Sequence, residues 1–362
     1  SGQESRVQRS VESNLVMKVH ACASPGKRLS FAPPHMKKRL FGNTGFHASE
    51  VGLGCWQLGG DCWGDLDDSK ALGILRASVE SGVNFLDTAD VYGAGRSEEL
   101  IGQFLREGSE ELFVATKLGR QAHVYPDQYT PDNLRGCTEA SLRRLGVEAL
   151  DLTQLHCPPP ALIQDGEVFE VMRGQQAAGL IKNWGVSVES VEEGLLCLEQ
   201  DGLASLQVIF NLFRRKPAEI LFEKAKARKV AIIVRLPLAS GLLAGKMSAA
   251  STFPENDHRS YNEDGQFFNV GETFAGLGLA KGCELADQLK TMAPEGMTLA
   301  AMALRWILDF DAVSTIIPGA SRVEQAHGNA AVSDLPPLSG ELHEKLKAFY
   351  ENSVAEHVRG LY

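Results

Sequence analysis

Four residues of this sequence could together place a proton on an oxygen: Asp87, Tyr92, Lys117 and His156. Asp87 closes the apolar run Val83-Asn84-Phe85-Leu86, and Tyr92 follows in a polar, glycine-bearing turn. Lys117 ends the apolar VATK, and His156 ends a run that stops at Cys157-Pro158. A tyrosine with its ordinary pKa near ~10 is a weak acid at neutral pH, but a neighbouring ammonium lowers that pKa and permits general-acid work. Lys117 would supply the charge, Asp87 would hold the ammonium, and His156 would donate a hydrogen bond that orients a carbonyl oxygen. Such a set needs no metal, no acyl intermediate and no second carboxylate. Each member alone has a structural explanation: a loop-capping acid, a rim aromatic, a solvated lysine, a satisfied core histidine. The four together weigh more, because a lysine ending an apolar strand must find a partner.

Short apolar runs that read as strands carry these residues: Val51–Gly54, Val83–Leu86, Leu112–Thr116, Leu152–Leu155, Ile181–Val186, Leu206–Ile209, Val230–Leu236 and Val313–Ile317. Helical patterns lie between them, among them Asp68–Glu80, Pro131–Leu145 and Pro217–Arg228, the last two opening with proline at a first-turn position. An eightfold alternation of this kind predicts an α/β fold, a (β/α)8 TIM barrel of parallel strands. A doubly wound sheet would need a phosphate loop after the first strand, and Gly93-Ala94-Gly95 fails the GxGxxG pattern because Glu98 takes the sixth position. Residues 36–50 predict a β-hairpin cap turning at Asn43-Thr44-Gly45. The stretch Ala239–Phe274 is far longer than an ordinary loop and predicts a lid or a disordered insertion. Helices are expected over Phe274–Met292 and Thr298–Asp309, and a last one, Ser339–Ser353, outside the barrel. At the C-terminal strand ends of such a barrel Trp56, Asp87, Tyr92, Lys117, His156, Ser187, Gln207, Arg235 and Gly319 would share one mouth.

The chain has 362 residues, a net charge of -10 and a pI near 5.5, which argues against nucleic acid or an anionic membrane as partner. Seven cysteines without a CxxC pair argue against a zinc site or a disulfide framework and for a reducing, cytoplasmic setting. Residues 1–35, rich in Ser, Arg, Lys and Ala, are expected to be a disordered leader, and 36–362 a single barrel domain. A transit peptide has a similar composition, but Glu4 and Glu12 argue against organelle targeting.

From about Met36 to about Asn329 the sequence resembles the aldo-keto reductases, through LDTADVYG, VATKLG, LHCP, GVS, LQVIFNLF, PLASGLLAGK and IPGASRVEQ in family order. The resemblance implies a (β/α)8 barrel, NADPH/NADP as cofactor, and reduction of a small carbonyl substrate by direct hydride transfer. It implies Tyr92 as the acid, with Asp87, Lys117 and His156 completing a tetrad. Ser187 and Gln207 would bind the carboxamide, and Trp56 would wall the substrate pocket. Leu236, Leu238 and Gly241 would also bind the cofactor, and Gly241, Gly245 and Lys246 resemble the cofactor-covering segment. Gly319, Ser321, Arg322, Gln325 and Asn329 resemble the adenosine-phosphate site, where amides at a helix start and the Arg322 fork suit a phosphate. Val188 stands where many members have asparagine, Gly328 where an acid often helps hold adenine, and Arg235 where an aromatic usually stacks on the nicotinamide. A planar guanidinium can also stack, so Arg235 is expected to contact the cofactor.

Cys55, beside Trp56, reads as a small pocket residue rather than a nucleophile, since no histidine pairing is visible. Two other functions are carried as alternatives. The first is a non-catalytic NADPH-binding regulatory subunit resembling the potassium-channel beta subunits, which share the barrel and the tetrad. The second is a hydrolase with paired carboxylates, which lacks an acid partner for Asp87.

Overall fold

The computed structural model describes residues 36–60, 63, 66–108 and 111–362. The leader expected at residues 1–35, with Cys22, and also Cys62, fall outside them. Antiparallel strands β1 (Lys38–Leu40) and β2 (His47–Ser49) form the expected hairpin. Eight parallel strands follow: β3 (Leu53–Gly54), β4 (Phe85–Asp87), β5 (Phe113–Leu118), β6 (Leu152–His156), β7 (Trp184–Ser187), β8 (Leu203–Ile209), β9 (Ala231–Arg235) and β10 (Val313–Ile316). Each pairs with its neighbour in sequence, from β3 to β10. Bridges Val51–Ile316 and Gly54–Gly319, with Gly52 N–H donating to the Ile316 carbonyl at 2.7 Å, join the first strand to the last. The (β/α)8 barrel is therefore the architecture, as the alternation of runs indicates.

The strand edges move where side chains divert the backbone. The second strand starts at Phe85 rather than Val83, because Asn84 is engaged by the hairpin: its Oδ1 accepts from Ser49 N–H at 2.6 Å and its Nδ2 donates to the His47 carbonyl. Ile181 makes only an isolated bridge to Leu150, and its strand begins at Trp184. The helix expected from Phe274 begins at Leu279, since Phe274 and Ala275 adopt left-handed φ of 51° and 55°. Near the C-terminus a regular helix covers Gly340–Phe349 and widens into a π-type turn over Tyr350–Val354.

Helix starts follow local chemistry. Asp67, Thr130, Thr298 and Ser339 each accept a backbone N–H of the first turn, and Ser190 forms a capping box with Glu193. Inside the barrel Phe85, Phe113, Leu152, Ile233 and Ile317 pack with Phe41 of the hairpin. The Phe41 and Phe85 ring centroids are 5.2 Å apart, and Phe46 stacks on Phe113 at 4.6 Å. Gly42, at φ 56°, lets the hairpin turn lie against β8 and β9, for a Cβ there would sit 2.8 Å from the Ala231 nitrogen. The hairpin thus plugs one end of the barrel and leaves the opposite, C-terminal mouth for a site.

Arg39 fastens that plug. Its guanidinium donates to the carbonyls of Leu308, Phe310 and Val313 and pairs with buried Glu50 at 2.7 Å. Replacing Arg39 with methionine is expected to cost about 2–4 kcal/mol, because Glu50 and those carbonyls lose charge-assisted donors. Chemical denaturation checks this, and an unchanged midpoint would contradict it. No helix among the described residues is long and apolar enough to cross a membrane.

Candidate functional site

Asp87 is the last residue of β4, and the chain then leaves the barrel top through a turn in which Gly93, Ala94 and Gly95 all have positive φ. Tyr92 opens that turn, with its hydroxyl toward Lys117. Lys117, within β5, points inward and is 1% exposed. Its Nζ donates to Asp87 Oδ1 at 2.5 Å, to the Thr88 carbonyl at 2.9 Å and to Tyr92 Oη at 3.1 Å. The other Asp87 oxygen accepts from Gln207 Nε2 at 2.7 Å and Gln154 Nε2 at 3.2 Å. Both oxygens of the buried acid are therefore satisfied, and the ammonium has three partners. His156 ends β6 beside Tyr92, with ring centroids 6.0 Å apart and nearly perpendicular. Its Nδ1 is buried without a hydrogen-bond partner among the described residues, which leaves Nε2 as the nitrogen open to the cleft.

The electrostatics differ in one respect from the expectation that the ammonium makes Tyr92 more acidic. Burial raises the phenol most, Lys117 lowers it, Asp87 raises it again, and the result is a pKa pushed up to about 12. Burial alone would lower Lys117, but Asp87 and Tyr92 outweigh it and hold the ammonium above its ordinary value. His156 is driven well below the ordinary imidazole value by burial and by Lys117, Arg120 and Arg235. It is a neutral ring at physiological pH. Burial also pushes the Cys55 thiol up, so Cys55 is a packed wall and not a thiolate.

These groups open into one cleft of about 580 Å³. Of the residues singled out in the sequence, Trp56, Asp87, Tyr92, His156, Gln207, Arg235, Leu236, Leu238, Gly241, Gly319, Ser321 and Gln325 line it. Lys117 lies behind Tyr92. Ser187 is buried off the cleft, with the Cys157 thiol donating to its hydroxyl at 3.5 Å. Arg322 is exposed at the N-terminus of the helix Val323–Ala330, and Asn329 Nδ2 donates to the Gly319 carbonyl at 3.2 Å. Ser321 N–H and Oγ both reach Gln325 Oε1, at 2.8 and 3.0 Å. At Gly319 a Cβ would lie 2.2 Å from the Gln57 amide, so any larger residue there would require that flexible side chain to move.

Arg235 ends β9 and is fixed by Glu272 at 3.1 Å, with further contacts to the Val188 carbonyl at 3.4 Å and Cys157 Sγ at 3.6 Å. Burial alone would lower its pKa, but Glu272 and the other neighbouring groups more than restore it. Glu272 comes from the insertion, which is folded over residues 239–274 rather than disordered. Ser240 Oγ donates to the Glu272 carbonyl at 2.8 Å and accepts from Phe274 N–H at 3.1 Å. The same segment brings His258 and Phe268 against Trp56, at 4.9 and 6.2 Å between centroids, while Trp63 meets Trp56 edge-on at 5.5 Å. Trp56 in turn lies nearly parallel to Tyr92 at 5.8 Å. An aromatic wall therefore stands over the phenol.

Arg120, Trp63, Phe268 and Glu272 are cleft residues that the sequence reading left unassigned. Arg120 was within reach, since it stands just past the β5 end that carries Lys117. The others lie in irregular segments where no periodicity marks them. Cys157, Glu189 and Glu272 come within 4.8 Å of one another, a set that could face a cation. Arg120 and Arg235 already neutralise both acids, and burial holds the thiol protonated.

A family model for the Aldo/keto reductase family matches residues 50–351. The chain is 29% identical over 334 residues to the aldo-keto reductase YhdN of Bacillus subtilis, covering 89% of this chain and 96% of that one. Among solved structures it resembles a glycerol dehydrogenase from Gluconobacter oxydans, with a TM-score of 0.71 and 30% identity over 91% of this chain and 97% of that one. It also resembles an aldo-keto reductase from Klebsiella pneumoniae in complex with NADPH, with a TM-score of 0.64 and 25% identity over 87% of this chain and 95% of that one.

Proposed function

The chain belongs to the aldo/keto reductase family, and from that premise we propose that it reduces an aldehyde or ketone to the alcohol with NADPH, Tyr92 acting as general acid. The observation that carries this reading is the contact of Lys117 Nζ with both Asp87 and Tyr92 Oη, at the base of a cleft shared with His156. An oxygen placed between Tyr92 Oη and His156 Nε2 gains negative charge as a carbonyl is reduced. Tyr92 hands it a proton, which runs downhill even from a pKa of about 12, because an alkoxide is about as basic as hydroxide, whose conjugate acid has a pKa near ~15.7. Lys117 stabilises the phenolate that remains, and Asp87 keeps the ammonium charged and in place. His156, being neutral, can donate Nε2–H without competing for the proton.

The cleft also fits the cofactor. It runs from Tyr92 to Ser321 and Gln325 at the mouth of a helix N-terminus, where Arg322 can take a phosphate and Lys246 lines the near side. Both Gln207 amide hydrogens are directed to Asp87 and Gln154, so its Oε1 is the atom left to accept from a carboxamide. Bound there, NADPH supplies the hydride. A screen of aldehydes and ketones that follows NADPH absorbance tests the reading; no consumption with any carbonyl would favour a non-catalytic NADPH-binding role.

Arg235 occupies the wall where the nicotinamide is expected, with its plane fixed by Glu272. Arg235→Ala should weaken NADPH binding by about tenfold, the worth of one charged contact, and lower turnover with it. Titration of NADPH fluorescence checks this, and unchanged affinity and turnover would contradict the contact.

A further inference from the structure

We propose that Arg120 anchors a carboxylate on the substrate, so that this protein acts on carbonyl compounds that carry an acid group. The inference rests on the carbonyl-reductase reading of the same cleft and names its substrate class. Arg120 follows β5 and stands beside the reacting centre, its Nε donating to the His156 carbonyl at 3.0 Å. Nη2 pairs with Glu189 Oε1 at 3.1 Å, and the guanidinium lies 4.7 Å from the centroid of Tyr125. These contacts set the plane of the fork. Nη1 makes no hydrogen bond among the described residues, and the residue lines the cleft while Glu189 does not. The acid thus holds Arg120 from behind and leaves a fixed, charged donor edge toward the substrate.

The other arginines of the cleft stand elsewhere. Arg235 pairs with Glu272 and turns Nη2 to Cys157 and the Val188 carbonyl, and Arg259 is held by both oxygens of Asp257 with its face over Trp63 at 4.9 Å and its Nη1 on the Gly241 side. Lys246 is exposed, in the segment next to Gly241. Arg120 is therefore the arginine with an open edge next to His156. An oriented fork of this kind suits a planar carboxylate, and because its plane is already fixed, little freedom is lost on binding. Across the cleft Trp56, Trp63 and Phe268 offer aromatic faces, so an aryl aldehyde bearing a carboxylate matches both walls.

The test compares 2-, 3- and 4-carboxybenzaldehyde with their methyl esters, which keep the ring and the aldehyde but remove the charge. For at least one position the acid should exceed its ester in kcat/KM by roughly tenfold or more, the worth of a charge-assisted pair. Arg120→Met should collapse that ratio, and Arg120→Lys should restore part of it; a merely structural role would lower acid and ester alike and leave the ratio intact. Esters equal to or better than acids at all three positions in the native protein would overturn the proposal, whatever the variants do. Failure of every aldehyde, acid or ester, to consume NADPH would instead overturn the carbonyl-reductase reading on which it rests.

Discussion

Replacing Tyr92 with phenylalanine is expected to lower kcat for aldehyde reduction by roughly 10²–10⁴-fold, the usual worth of a positioned general acid, while NADPH still binds. The ring keeps its packing against Trp56, so the pocket wall survives. Lys117 loses one of three acceptors and retains Asp87 and the Thr88 carbonyl. What disappears is the one hydroxyl at the cleft base whose proton can be given up beside a stabilising ammonium. Steady-state kinetics with a small aldehyde, together with an NADPH titration, separate the two effects. Full turnover in the variant would mean that another group, or water, delivers the proton. The pH profile carries the same signature. The protonated phenol is the reactive form, so reduction loses this acid only as pH rises toward about 12, and a loss of kcat near neutrality would need a different group.

The second large effect concerns stability as well as rate. Lys117→Met removes the cation from a carboxylate that is 2% exposed, leaving Asp87 with only the Gln207 and Gln154 amides. Breaking a buried pair from one side costs about 3–5 kcal/mol, and turnover should fall together with stability because the phenolate loses its partner. Adding Asp87→Asn to Lys117→Met should recover part of the lost stability and none of the activity. Denaturation midpoints for the two variants measure this. A Lys117→Met protein as stable as the native one would show that the pair contributes little to the fold.

The barrel was legible because eight apolar runs alternate with capped helical patterns, and each signal is local. Phe85-Leu86-Asp87 closes β4 and VATK stops one residue short of the end of β5, so placing Asp87, Lys117 and His156 at one mouth needed only the parallel topology. Tyr92 required more. It opens a turn with positive φ at Gly93, Ala94 and Gly95, and Ala94 gives no warning of that conformation. The sign of the Tyr92 shift was likewise out of reach, because it is decided by how deeply the turn and Trp56 bury the phenol, a property of packing rather than of residue type. The wall built by residues 239–274 was the least legible part. Glu272 reaches Arg235 across 36 intervening residues that carry only short helical turns, and no periodicity encodes such a contact. The alternatives divide on the same point: a binding-only barrel would keep the fold and the cofactor cleft, whereas the reductase must also make product.

The most direct measurement is therefore of product. The protein is incubated with NADPH and a reactive aldehyde, and NADPH consumed and alcohol formed are quantified in the same sample. The account predicts one alcohol for each NADPH consumed. NADPH that binds but yields no alcohol with any carbonyl, or NADPH consumed without alcohol, would contradict it.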